Sequence, residues 1–348
     1  MITLNFPQKD ACVSLQTDVQ KVFLQEDKKR AQLDSSFCFQ WYELGEKDTD
    51  RSLPQPVSFV WEEHIEESEE DKESAEGAWF YLLLSEYEDM RDPWVYGTLE
   101  CHYSVYNLKV GTTYFWCVQK NGKRSGISTF STCLTLPRCI KIDSISNVRD
   151  MGGYPVEEGR IRQGLVFRGG ELERHQHLMP SGMEEMRRLG ICTEVDLRGE
   201  VCHSVSFTTP ELIGINRKFI PGVPYTMVFL KDFRPAVRKF FRVFTDRKNY
   251  PIYYHCWGGA DRTGTYAFIL GAFLGMRLTD LIFEYEFTSL SNWGSRIWNY
   301  VECQEFWKQF SALSGSTLRE KATAYLKKYA GLSDKQLAKI YDILVEKD

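Results

Sequence analysis

Apolar residues in the first part of the chain come in short runs cut by turn-forming residues. AWFYLLLSEY, TLECHYSVYNL, TTYFWCVQ and GISTFSTCLTL are rich in aromatic and β-branched positions, and EDMRDP, KVG and KNGKRSG stand between them. Side chains of that kind fit a pleated, half-buried surface, so the pattern predicts strands joined by tight turns. Asn121-Gly122 is a hairpin signal, because both residues tolerate the left-handed backbone that a two-residue turn needs. The spacing predicts an all-β sandwich over residues 1–138.

The pattern changes after LTLPRCIKIDSISN, which reads as a linker around Pro137. LVFRGG, ICTEVDLRG, RKFIPGV and PIYYHC are short apolar strands, while SGMEEMRRLG, PAVRKFFRVFTDRK and RTGTYAFILGAFLG have helical character. Strands alternating with helices predict an α/β domain over residues 139–348, with a central, mostly parallel sheet flanked by helices. The C-terminal end closes in helices: Ser316 can cap TLREKATAYLKKYA, Gly331 suits its end, and Ser333 with Gln336 forms a capping box.

Composition narrows the class without naming it. The 348 residues are 43% apolar and 26% charged, as in globular proteins. No apolar run is long enough to span a membrane, and no signal peptide is visible, so a cytoplasmic location is expected. Residues 1–140 hold 14 Lys+Arg and 23 Asp+Glu, a net of −9, and the remainder holds 29 and 25, a net of +4. An acidic front argues against a nucleic-acid partner. Nine of its acidic residues fall between Glu62 and Glu76, which reads as a solvated loop. The ten cysteines show no CxxC and no zinc-finger spacing, which predicts no metal and mostly reduced, buried thiols.

One stretch, YYHCWGGADRTGT, carries chemistry. It puts a cysteine at the end of a predicted strand and an arginine six residues later, at the start of a predicted helix. The five residues between must turn sharply, and Gly258 and Gly259 permit both positive φ and close approach. Successive amides can then face inward as an anion nest, reinforced by the helix N-terminus. The Arg262 guanidinium matches two phosphate oxygens, and the same positive field favours the thiolate form of Cys256. Cys192 and Arg198 repeat the spacing in CTEVDLR, but that stretch has no glycine and reads as a strand with a core thiol.

HCWGGADRTG resembles the signature loop of the cysteine-dependent protein tyrosine phosphatase superfamily, and within it the bacterial tyrosine and lipid phosphatases whose loop reads HCxxGxDRTG. SNVRDMGGYPVEEGRIRQGLVFRGGEL resembles the N-F-R-D-x-G-G-Y…R-S block that opens those domains, and EVDLRGE resembles the D-L-R strand that follows. Two positions depart: Ala260 stands where many relatives have lysine, and Gly169 where they usually have serine. NLKVGTTYFWCVQKNGKRSGISTFST in turn resembles the end of a fibronectin type III or related Ig-like domain.

The resemblance implies a phosphoric monoester hydrolase that forms a phosphocysteine on Cys256 and needs no cofactor. Trp257, Gly258, Gly259, Ala260, Arg262, Thr263 and Gly264 would surround the phosphate, with Thr263 either donating to the departing thiolate or capping the helix. His255 is expected to orient the loop. Asp261 and Asp232 compete as the acid that protonates the leaving oxygen, and Asp232 could equally cap the helix that Pro235 helps start. Arg149, Asp150 and Arg168 either line the pocket or brace the loop through salt bridges. Tyr225 and Phe229, in GVPYTMVFLKD, could stack on a phenyl ring or equally belong to the core, and SLSNWGSRIWNY could supply another wall. Expected substrates are phosphorylated proteins, phosphotyrosine first, or a phospholipid or inositol phosphate. The front domain would bind a partner or shape the pocket entrance. A different class is an interaction protein whose loop only senses phosphate.

Overall fold

The computed structural model describes residues 1–25, 50–64, 78–199 and 214–347. The acidic run from residue 65 onward, Cys38, Cys202 and Glu200 lie outside these residues. By packing, the described parts of 1–17 and 54–136 form one compact unit, and those of 18–53 and 137–348 form another. One change of unit thus falls at Pro137, while the short helix Asp18–Gln25 groups with the second unit.

In the first unit every regular element among the described residues is a strand. One sheet orders Ile2–Phe6, Val57–Glu63 and His102–Val105. The other orders Ala11–Val13, Ser128–Thr132, Thr113–Lys120, Phe80–Ser85 and Trp94–Thr98, with Lys123–Arg124 paired to Thr113–Lys120. Burial alternates along Val57–Glu63, so that Val57, Phe59 and Trp61 point inward, as period-two patterning requires. They join Leu82, Leu84, Trp116 and Phe130 in one core. Asn121 (φ 48°) and Gly122 (φ 74°) make the expected left-handed turn between paired Lys120 and Lys123. Cys12 and Cys133 are joined as a disulfide with Cα atoms 5.6 Å apart, which departs from the expectation of reduced thiols. The parallel pairing of Cys12 with Ser131 brings Cys133 to the same edge.

The second unit mixes sheet and helix. Its main sheet orders Arg138–Cys139, Arg149–Asp150, Val166–Gly169, Ile252–His255, Thr193–Asp196 and Asn216–Phe219. The last four strands run parallel; the two short ones at the other edge are antiparallel. Val166–Gly169, Ile252–His255 and Thr193–Asp196 are buried at every residue, as parallel strands are. Gly169, His255 and Asp196 are paired neighbours, so the three strands end side by side. Loops leaving that edge meet where α/β sheets bind ligands.

The helix Asp261–Leu274 follows the central strand and is buried from Thr263 onward. Being apolar all round, it sits inside the unit rather than on its surface. Gly275, at φ 101°, ends it. Ser333 and Gln336 form the expected capping box. The preceding helix is capped by Thr317 rather than Ser316, because Thr317 lies three residues before Glu320 and exchanges both bonds with it. Cys192 is exposed, not a core thiol: the strand starts one residue later, at Thr193, so Cys192 belongs to the turn that enters it.

Candidate active site

The strand Ile252–His255 delivers Cys256 to the sheet's C-terminal edge, where its side chain is 4% exposed. Residues 257–260 then reverse the chain into the helix. Neighbours take every carbonyl of this turn. Trp257 O accepts from the amide of Glu171 (2.8 Å), Gly258 O from Asn147 Nδ2 (2.8 Å), Gly259 O from Arg168 Nη2, and Ala260 O from the amide of Gly264 (2.7 Å). The amides of Trp257 to Ala260 donate to no protein acceptor among the described residues, and no side chain caps the helix. Carbonyls held outward and amides left open make the concave donor set expected of an anion nest. The uncapped helix end adds its positive pole.

Steric limits explain the glycines. Gly259 has φ 65°, and a Cβ there would run into the backbone carbonyl of Gly169. A Cβ on Gly258 would come within 2.6 Å of the Trp293 ring, and one on Gly264 within 3.0 Å of Tyr285. Gly169 has a local reason too: the Tyr253 hydroxyl, which donates to Gly170 O, fills the space a serine side chain would take. Ala260, 2% exposed, is the N-cap residue.

Arg262 lies in the first helical turn, half-buried, with Nη1 donating to Leu197 O at 3.1 Å. Its guanidinium stands 5.6 Å from the centre of the Trp257 ring, and that of Arg174 5.5 Å from it. Trp257 is 39% exposed, so it borders the bowl rather than filling it. Thr263 is fully buried, and its hydroxyl has no hydrogen-bond partner. The Arg262 side chain and the Thr263 hydroxyl thus both have donors to offer a neighbouring group.

Arg149 and Arg168 belong to a buried ion-pair network that reaches the loop. Both are fully buried, because Glu284 takes both guanidinium groups: Arg149 Nε at 2.9 Å on one oxygen and Arg168 Nη1 on the other. Arg149 also holds Asn147 Oδ1 and the Glu284 carbonyl, and Arg168 holds the loop at Gly259 O. Burial, with Arg149 nearby, pushes the Arg168 pKa down despite Glu284. Asp150 pairs with Arg138 at 2.5 Å and accepts from the amides of Gly152 and Gly164.

His255, the last residue of the strand, is fully buried between two partners. Its Nε2 meets Glu194 Oε1 at 2.7 Å and its Nδ1 meets Cys256 O at 3.0 Å. Burial works against its charge, but Asp196 and Glu194 outweigh it and raise the pKa. Glu194, Asp196 and His255 bring ligand-type atoms within 4.8 Å of one another. Arginine already serves this group: Asp196 takes Arg198 at 2.7 Å and Arg217 at 2.6 Å. It is a charge network that fixes the edge of the sheet. The second C-x5-R arginine, Arg198, is thereby locked to Asp196 and Glu171.

The two aspartates differ. Asp232 is exposed in a single 3₁₀ turn, and its carboxylate makes no hydrogen bond or ion pair among the described residues. Nor does it cap the helix Arg234–Val243, whose N-cap is Phe233. Asp261 begins the loop's own helix. Its Oδ1 accepts from Tyr225 (2.5 Å) and Arg296 Nε (2.7 Å), and its Oδ2 from Arg296 Nη2 (3.0 Å). Burial would raise its pKa, but Arg296, Tyr225 and Arg262 together bring it below the usual carboxylate range. Tyr225 also meets the Tyr285 hydroxyl at 2.7 Å and borders a cavity of about 350 Å³ with Pro224, Met227, Val301 and Glu302. Phe229, half-buried, packs on Phe306, Tyr325 and Tyr329.

Sequence reasoning passed over Glu284, Arg296, Asn147 and Trp293. Arg168, in the predicted apolar strand LVFRGG, was the signal for Glu284, since a buried cation needs an internal counter-charge. Arg296 and Trp293 fall in the stretch proposed as a wall, but nothing in its pattern singled them out.

A model of the tyrosine phosphatase family matches residues 140–346. A protein of Cupriavidus necator, whose name proposes a tyrosine-protein phosphatase, is 28% identical over 170 residues, which are 42% of this chain and 61% of that protein. The chain therefore spans about three-fifths of that relative's length. Among solved structures, the core catalytic domain of the PP-IP phosphatase SIW14 from S. cerevisiae is similar over 48% of this chain and 87% of its own, at 16% identity and a TM-score of 0.33. A Shewanella putrefaciens protein described as a phosphatase by its name alone is similar over 51% and 95%, at 13% identity and a TM-score of 0.26. No helix among the described residues is long and apolar enough to cross a membrane. The family model covers more than half of the chain, and the chain belongs to the tyrosine phosphatase family, a family of phosphoric monoester hydrolases.

Proposed function

We propose that this chain hydrolyses phosphate monoesters by way of a phosphocysteine on Cys256, with protein phosphotyrosine as the default substrate. The observation that supports this most is the turn after Cys256: its four carbonyls are held outward while its amides stay open beside the sulfur. Sulfur attacks phosphorus, and the S–P bond forms as the P–O bond to the leaving group breaks. The amides, the helix end and the Arg262 fork hold the three equatorial oxygens, whose charge is greatest in the transition state. Thr263 donates to the thiolate when water later releases it. Of the two aspartates, Asp261 is the one we place in proton transfer, since it shares a turn with Arg262. A phospholipid or inositol phosphate is the alternative substrate.

We infer further that residues 1–138 are a fibronectin type III or Ig-like sandwich that binds a partner, followed by the catalytic domain. Two sheets with one common core and the Asn121–Gly122 hairpin support that reading.

The test of the enzymatic reading is turnover of p-nitrophenyl phosphate. We expect orthovanadate, which mimics the five-coordinate phosphorus, to inhibit it, and EDTA to leave it unchanged. An EDTA-sensitive rate that vanadate leaves untouched would point to different chemistry. A phosphotyrosine peptide turned over no faster than a phosphoinositide would reverse the order of the two substrate classes.

A further inference from the structure

Asp261 is not free to behave as an ordinary carboxylic acid. Both its oxygens face the Arg296 fork, and Oδ1 receives the Tyr225 hydroxyl as well. Arg296 is fixed in turn. Its amide accepts no slack: it donates to Ser289 Oγ at 2.8 Å, the same hydroxyl donates to Arg296 O at 2.9 Å, and Nη1 holds the carbonyls of Trp293 and Ser295. Trp293, on the same stretch, packs on Gly258. The segment that carries Arg296 therefore rests on the loop's backbone and reaches over to its first helical residue.

The groups around Asp261 agree on its state. Arg296 faces it from this segment, Arg262 from its own helix and Tyr225 from the 3₁₀ turn Tyr225–Phe229. Tyr285 and Cys303 stand behind Tyr225, and burial raises the pKa of both, so they add no negative charge at neutral pH. Two cations and a neutral hydroxyl donor thus surround one carboxylate.

We propose that Arg296 is a positioning residue that keeps Asp261 as a carboxylate, so that Asp261 serves the second half of the reaction as a base and the first half proceeds without a strong acid. This inference rests on the phosphatase reading above. In the first half, Cys256 displaces the ester oxygen, which leaves with the electron pair and takes its proton from water. In the second, a water oxygen attacks phosphorus and its proton passes to Asp261. The S–P pair returns to sulfur, and Asp261 then releases the proton to solvent. An aryl oxygen tolerates departure with little protonation; an alkyl oxygen does not. The arrangement therefore selects aryl esters such as phosphotyrosine over alkyl esters such as inositol phosphates.

Rates are measured for a series of aryl phosphates and one alkyl phosphate, across pH, in the wild type, Arg296→Gln, Arg296→Lys and Cys256→Ser. In the wild type kcat/KM should fall steeply with leaving-group basicity, with the alkyl ester at least about 10²-fold below the aryl esters, the usual worth of general acid catalysis. Arg296→Gln removes the cation that keeps Asp261 ionised. The acidic limb of kcat should then move to higher pH, the leaving-group dependence should flatten at low pH, and a burst should reveal slower hydrolysis of the phosphoenzyme. Arg296→Lys keeps the charge without the fork and should fall between. A wild type that hydrolyses alkyl and aryl esters alike overturns the proposal even if the glutamine variant fails to fold. So does a folded Arg296→Gln whose profiles superimpose on the wild type. In both cases an inactive Cys256→Ser leaves the phosphatase reading standing. A Cys256→Ser as active as the wild type removes that reading, and this one with it.

Discussion

Replacing Cys256 with serine is expected to lower aryl phosphate turnover by on the order of 10⁴-fold, with melting temperature and circular dichroism unchanged. Loss of a covalent nucleophile from a preorganised site typically has an effect of that size. Serine is nearly isosteric, and the site is already 4% exposed, so packing around it changes little. What changes is reactivity: at the same place an alcohol is a far weaker nucleophile toward phosphorus than sulfur. The cradle itself survives the exchange, since its donors are backbone amides. The serine variant should therefore still bind a phosphotyrosine peptide without turning it over. A variant that lost binding together with turnover would show that the sulfur shapes the bowl as well as attacking from it.

Glu284→Ala should produce the largest loss of stability. The carboxylate is 4% exposed and is the common partner of two fully buried arginines, Arg149 and Arg168. Removing it leaves two buried cations without their counter-charge, and breaking a buried ion pair from one side typically costs about 3–5 kcal/mol. For a unit of this size that corresponds to a fall in melting temperature of roughly 10 °C, readable by calorimetry. Activity should drop as well, because Arg168 is the group that holds Gly259 O and so turns that peptide outward. Glu284→Gln keeps the hydrogen-bond acceptor and should fall between the wild type and the alanine variant. A Glu284→Ala protein that melts with the wild type would show that the arginines find other partners, and the bracing role would fail.

The parallel strands and the helix behind the loop were legible because local pattern and tertiary role agree there. PIYYHC, the glycine pair and RTGTYAFILGAFLG each demand one conformation, and the chain adopts it. The roles of Arg149 and Arg168 were only half legible. A buried cation in a strand implies a partner, but the partner lies 135 and 116 residues away in sequence, on the helix Leu278–Glu286. Arg296 was not legible at all, because its value depends on where the Ser291–Trp298 segment lands and not on any local signature. Cys192 misled for a smaller reason: the strand begins one residue later than its apolar pattern suggests, which leaves that side chain in the turn. Thr317 displaced Ser316 as a cap through the same one-residue uncertainty. Phe229 could be read in sequence as pocket wall or as core, and only the fold shows its ring against Tyr325 and Tyr329.

Covalent chemistry at one sulfur carries the proposed reaction. The most direct measurement is an acid quench of the wild type during turnover of an aryl phosphate, followed by peptide mass spectrometry at low pH. A single added phosphate is expected on the peptide that contains Cys256, absent from the Cys256→Ser protein. Steady turnover with that cysteine never phosphorylated, or with the phosphate found on another side chain, would contradict it.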